Sequence, residues 1–156
     1  MQPILHHTTK RFTQLSYLTN QLLDKAGGLQ RVCILSARIL IGLFFVYFGM
    51  DKFIHYSDTT VFMSAMGVPS LLLPLVLILE IGGGVALIIG WRLRLMAGLL
   101  AAFTALATLI FHTGFSEQIQ VILFMKNIAI IGGLLLIIAV ADVAVNRQTR
   151  GGKAAR

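Results

Sequence analysis

Four apolar runs, each about as long as a bilayer-crossing helix, constrain this chain more than any other feature. They cover residues 32–50, 69–90, 95–111 and 121–141, with His112 at the edge of the third. A helix rises about 1.5 Å per residue, so about 20 apolar residues span a hydrocarbon core about 30 Å thick. Strands of a membrane barrel would alternate apolar and polar residues, and these runs do not. The sequence therefore predicts an all-α membrane protein, an antiparallel bundle of four transmembrane helices joined by short connections. Composition agrees: 57% of the 156 residues are hydrophobic and 12% charged, against about 25% charged in a soluble domain.

Basic residues outnumber acids 13 to 6, and their placement speaks of topology rather than nucleic acid, for which no binding is expected. Lys10, Arg11, Lys25 and Arg31 precede the first run, Arg92 and Arg94 separate the second and third, and Arg147, Arg150, Lys153 and Arg156 follow the fourth. The other two connections, 51–68 and 113–120, carry Asp51, Asp58 and Glu117, with Lys52 as their one base. The positive-inside rule then predicts that both termini are cytoplasmic. Three regions follow: a basic N-terminal segment 1–31, a four-helix membrane domain 32–142, and a basic tail 143–156. The basic ends are expected to contact anionic lipid. The first apolar run starts too late and is too long for a cleavable signal peptide. The single cysteine, Cys33, allows no disulfide within the chain and reads as a small apolar residue.

Within the first segment, Phe12, Leu15, Leu18, Leu22 and Leu23 recur at helical spacing. Residues 12–25 are therefore expected to lie as an amphipathic helix on the membrane surface, ended by Gly27 and Gly28. His6 and His7 read as tail, and no metal site is expected. Helix one has a seam of Arg38, Gly42, Phe45, Gly49 and Lys52, spaced by fours and threes so that all share one face. Gly42 and Gly49 there would let a neighbouring helix approach closely. In the connection that follows, Ser57, Asp58, then Val61, Phe62, Ala65 and Met66, then Gly67 and Pro69 read as cap, apolar face and stop of a short helix at the outer interface. Helix two carries Gly82, Gly83 and Gly90, with Gly82, Ala86 and Gly90 on one small-residue face. Helix four carries Gly132 and Gly133. All these glycines are expected to serve helix packing.

Against this background the ionisable residues stand out. Glu80 falls near the middle of an uncharged apolar run, where a charge costs about 2.5–3.5 kcal/mol by insertion scales. Arg38 lies about 7 Å from it along the membrane normal by helical rise, and an Arg38–Glu80 pair is expected. Lys52, His112, Lys126 and Asn127 all fall toward the outer side, where they could line a polar site with Glu80 at its base. Each also has a plainer reading. Lys52 and Lys126 could snorkel to the interface, His112 could be interfacial, and Asn127 could hydrogen-bond between helices. No phosphate loop, dinucleotide fingerprint, CxxC or haem-spaced histidine pair occurs.

The succession of Arg38 and FGMDKF, then AMGVPSLLLPLVLILEIGGGVALIIG, then Arg94, His112 and LFMKNIAIIGGLLL resembles the DoxX family of small bacterial inner-membrane proteins, over about residues 32–141. The resemblance implies a four-helix, multi-pass inner-membrane protein. The family is named for a subunit of a thiosulfate:quinone oxidoreductase, and some members are linked to thiol or oxidative-stress redox systems. It has no agreed catalytic residues to carry over; Arg38, Lys52, Glu80, His112 and Asn127 match its recurrent polar positions. The resemblance thus implies a membrane subunit of a redox system that binds a quinone or similar amphiphile. Electrons would come from a redox partner protein or a soluble donor, since no electron-carrying cofactor is evident. A small permease or proton-coupled exporter, acting as a homo-oligomer, and a non-catalytic scaffold are the alternative expectations.

Overall fold

A computed structural model describes the backbone of residues 4–154 and the side chains of residues 27–141. Among the described residues the protein is all helical. The elements are α1 (Ile4–Ile54), α2 (Tyr56–Ala65), α3 (Leu73–Leu77), α4 (Gly83–Ile89), α5 (Leu93–Phe111) and α6 (Gln118–Ala154). A 3-10 turn, Ser70–Leu72, leads into α3, and a π-helical turn, Ile78–Gly82, joins α3 to α4. Four stretches are long and apolar enough to cross a membrane: Gly27–Ile54, Ser70–Ile89, Leu93–Phe111 and Gln118–Ala141. These match the four runs read from the sequence, and the short third one needed no extension.

The chain divides into two units, residues 1–36 and 37–156. The first is helical from Ile4 onward, and Gly27 and Gly28 lie within α1 rather than ending a helix. The apolar face expected over 12–25, and His6 and His7, lie outside the described side chains, as does the basic tail. All packing described below belongs to residues 37–141.

The second span is a composite. Pro74 occupies the first turn of α3, where its missing N–H leaves no bond unmade. The π turn then holds one residue more per turn than an α-helix, so the faces of α3 and α4 are out of α-helical register. Gly90, at φ 87°, ends α4 in the left-handed conformation open to glycine.

The seam read on α1 is present. Gly42, Phe45 and Gly49 are buried. A Cβ at Gly42 would come within 2.7 Å of the Gly84 carbonyl oxygen, and one at Gly49 within 2.7 Å of Ile81 and 3.2 Å of the Glu80 Cβ. Low-numbered seam residues meet high-numbered residues of the second span. Gly83 faces Leu100, and Gly133 faces Ile41. Around these contacts Phe45, Leu87, Ala97, Leu100, Ala101, Leu134 and Ile137 form the main core.

Two packing expectations fail. Gly82 and Gly132 are exposed, and nothing lies within 4 Å of where their Cβ would be. Gly82 belongs to the π turn, which rotates it off the face that an α-helical count assigns it. Gly132 and Gly133 are adjacent, so about 100° apart around the helix, and only one of them can meet α1. Gly84 takes the close contact instead. In α2 the expected cap is also absent: His55 is the N-cap residue, and no side chain caps the helix. Val61, Phe62 and Met66 are exposed, while Met63 packs with Leu73 and Leu77 in a second small core.

Candidate functional site

Glu80 is the most deeply buried charged residue described, at 4% exposure. Both its carboxylate oxygens accept from one ammonium, that of Lys52, at 3.0 and 2.9 Å. The Lys52 side chain is 30% exposed and donates a further, longer bond to the Phe48 carbonyl at 3.4 Å. The expected Arg38–Glu80 pair is not formed. Arg38 instead donates from Nε to the Leu87 carbonyl at 3.0 Å and from Nη2 to the Ile88 carbonyl at 3.1 Å. It thereby satisfies carbonyls that the end of α4 leaves without helical partners.

The reason lies in side-chain direction. Helical side chains lean toward the N-terminus of their own helix. On α1, Lys52 therefore leans back along the helix toward Glu80, and Arg38 leans away from it toward Gly90. Glu80 leans toward the start of its own span, which is where Lys52 lies. Lys52 and Arg38 stand 14 residues apart, about 21 Å along α1, so each serves a different part of the second span.

Beside this pair lies a second ammonium. Lys126 of α6 sits 4.9 Å from the centroid of the Phe48 ring and 5.2 Å from that of Phe44. Lys52 lies 5.9 Å from the same Phe48 ring. The two rings are 4.5 Å apart and tilted by 45°, and Tyr47 stands edge-on to Phe48 at 5.3 Å. Lys126 is eight residues inside the start of α6, about 12 Å along the axis. Its ammonium lies over the aromatic rings of α1. Among the described residues it has no carboxylate within ion-pair distance. Each ring contact is worth about 0.5–2 kcal/mol, and Lys126 remains partly exposed.

The remaining expected residues form two separate contacts. Asn127 is buried and donates from Nδ2 to the Thr108 hydroxyl at 2.9 Å, joining α6 to α5. Thr108 in turn donates to the Thr104 carbonyl at 2.6 Å. His112 pairs its Nδ1 with Gln120 Oε1 at 2.9 Å, across the α5–α6 connection. Of the six predicted polar residues, Lys52, Glu80 and Lys126 thus gather on the α1 aromatic row. Asn127 is interhelical glue, His112 belongs to a loop contact, and Arg38 caps α4. The sequence reading missed Phe44 and Phe48. Their signal is the spacing Phe44, Phe48, Lys52, one turn apart each. Among the described residues no three His, Cys, Asp or Glu side chains group as metal ligands.

Four apolar spans with charged groups held inside them define a multi-pass membrane protein. Residues 33–113 match the DoxX family model, and the chain belongs to the DoxX family. It is 44% identical over 109 residues to "Inner membrane protein YqjF" of Escherichia coli (strain K12), which covers 70% of this chain and 84% of that protein. It is 28% identical over 131 residues to "Inner membrane protein YphA" of the same organism, covering 80% and 94%. No solved structure matches. The family and these relatives identify an inner-membrane protein. The family match ends before α6, so Lys126 and Asn127 lie outside the matched stretch.

Proposed function

We propose that this chain is the membrane subunit of a quinone-linked redox system, and that it holds a quinone beside Lys126 and the Phe44–Phe48 rings. The observation that carries the reading is the Lys126 ammonium, which among the described residues has no carboxylate within ion-pair distance and which lies over the Phe44 and Phe48 rings. A quinone carbonyl is an acceptor for that ammonium, its ring stacks on aromatic faces, and its tail is at home in lipid. A bound quinone would supply the electron-accepting chemistry. Lys126 would orient a carbonyl oxygen, Phe44 and Phe48 would fix the plane of the ring, and Lys52 would lend a second positive charge while remaining paired to Glu80. Under this reading a partner protein or soluble donor would supply the electrons.

The arrangement belonging to this reading is an antiparallel bundle with both termini cytoplasmic. The opposite order of contacts along α1 and the second span supports the first part. The distribution of Lys and Arg supports the second. The site then lies on the outer side. The test is quinone reduction by membranes with and without the protein, alongside Lys126→Gln. Reduction should depend on the protein and fall with the variant, and equal rates in all three would contradict the reading.

One observation favours a second reading, a proton-coupled exporter. Glu80 sits within a π-helical turn, a feature common at functional sites. Under that reading Glu80→Gln abolishes transport into vesicles while the protein still folds, and unchanged transport removes it.

A further inference from the structure

Two ammoniums lie at the aromatic row of α1, and one carboxylate is paired with the first of them. Both oxygens of Glu80 bind the Lys52 ammonium, and among the described residues Lys126 has no carboxylate within ion-pair distance. Lys52 and Lys126 both lie near the Phe48 ring, 5.9 and 4.9 Å from its centroid. With both amines protonated and Glu80 ionised the group carries one net positive charge, and the ring faces that Lys126 touches supply only partial negative charge. Ring contact compensates far less than an anion in direct contact would. Lipid-facing surface adjoins the site: Ile122, one turn before Lys126, and Tyr47, in contact with the Phe48 ring, are both exposed apolar or aromatic groups.

We infer that Lys126 is the binding group for the anionic head of an amphiphile, a carboxylate or phosphate monoester whose hydrocarbon tail lies along the exposed faces of α1 and α6. The anion neutralises the surplus charge, and the Lys52 ammonium, 5.9 Å from the same Phe48 ring, adds to the positive field. The inference rests on the reading of Lys126 as a ligand-binding group, and on neither quinone nor electron transfer. A free fatty acid and phosphatidic acid are the two sources of such a head group. Nothing covalent occurs.

The test uses the full chain in nanodiscs of phosphatidylcholine, with binding read by native mass spectrometry and by displacement of a fluorescent fatty acid. The probes are dodecanoate, dodecyl phosphate, dodecanol and a short-tailed neutral quinone. The expected result is that both anions bind and dodecanol does not. Lys126→Gln should weaken the anions by about tenfold or more, the loss of one charge-assisted contact. Lys126→Arg should retain them, which shows that a loss in Lys126→Gln is not one of folding. Equal binding of dodecanol and the anions, or full anion binding by Lys126→Gln, overturns the inference. Doping the nanodiscs with phosphatidic acid separates the sources. Displacement of dodecanoate identifies the lipid head group as the natural anion, and undisturbed dodecanoate binding identifies a free amphiphile. If the anions bind and the neutral quinone does not, the quinone-linked reading falls and the anion site stands.

Discussion

The Lys52–Glu80 pair sets up an asymmetric stability experiment. Removing one member of a buried ion pair costs about 3–5 kcal/mol, chiefly because the other charge is left buried. Here the two members differ. The Lys52 side chain is 30% exposed and that of Glu80 6%. In Glu80→Gln the amide oxygen still accepts from Lys52, and the lysine can turn toward the interface, so the loss should fall below that range, about 1–2 kcal/mol. In Lys52→Gln the buried carboxylate loses its ammonium, and the loss should lie within the range. The double variant should be closer to the wild type than the sum of the singles, with a coupling of about 2–3 kcal/mol, which exceeds thirtyfold in the unfolding equilibrium. Unfolding in mixed micelles of mild detergent and dodecyl sulfate, followed by far-ultraviolet circular dichroism, measures all four proteins. Additive single effects, or a Glu80→Gln loss larger than that of Lys52→Gln, would refute the pairing and the burial argument together.

Three further outcomes follow from the packing. Gly42→Ala and Gly84→Ala each place a methyl about 2.7 Å from a facing backbone oxygen and should cost about 1–3 kcal/mol in the same assay. Gly132→Ala meets nothing and should be neutral or slightly stabilising; a loss there comparable to Gly42→Ala would contradict the helix faces. Arg38→Gln removes two hydrogen bonds to the end of α4 and should cost about 1.5–3 kcal/mol, while leaving the Lys52–Glu80 coupling unchanged in a combined cycle; altered coupling would contradict the separation of the two groups. Asn127→Leu leaves the buried Thr108 hydroxyl its bond to Thr104 and should cost about 0.6–1.7 kcal/mol, the span of hydrogen bonds between membrane helices. A Thr108→Val variant should show a similar loss and little addition when the two are combined.

The spans were legible in the sequence because bilayer thickness demands length and hydrophobicity, and both are written in plain succession. The α1 seam was legible for a related reason, since a regular helix preserves spacing. The ion pairing was not legible from depth alone. Arg38 and Lys52 both lie within reach of the second span by rise per residue, and only the N-terminal lean of side chains decides which one meets Glu80. The small-residue face through Gly82 failed because a π turn interrupts the α-helical count, and nothing in ILEIG announces that turn. Lys126 was read as a polar residue with an interfacial alternative. Its position over Phe44 and Phe48 depends on how α6 is placed against α1, which one segment's periodicity does not record. Met63, rather than the four apolar residues expected in α2, faces inward for the same reason: its partners Leu73 and Leu77 lie on another element.

Mass spectrometry of small molecules extracted from the purified protein tests most directly the claim that Lys126 marks a ligand site. Wild type and Lys126→Gln would be purified side by side in mild detergent and matched for helicity. A lipid-soluble compound, quinone or anionic amphiphile, should be enriched with the wild type and depleted with the variant. Identical extracts from the two proteins would contradict the claim and leave Lys126 as a structural cation held by two rings.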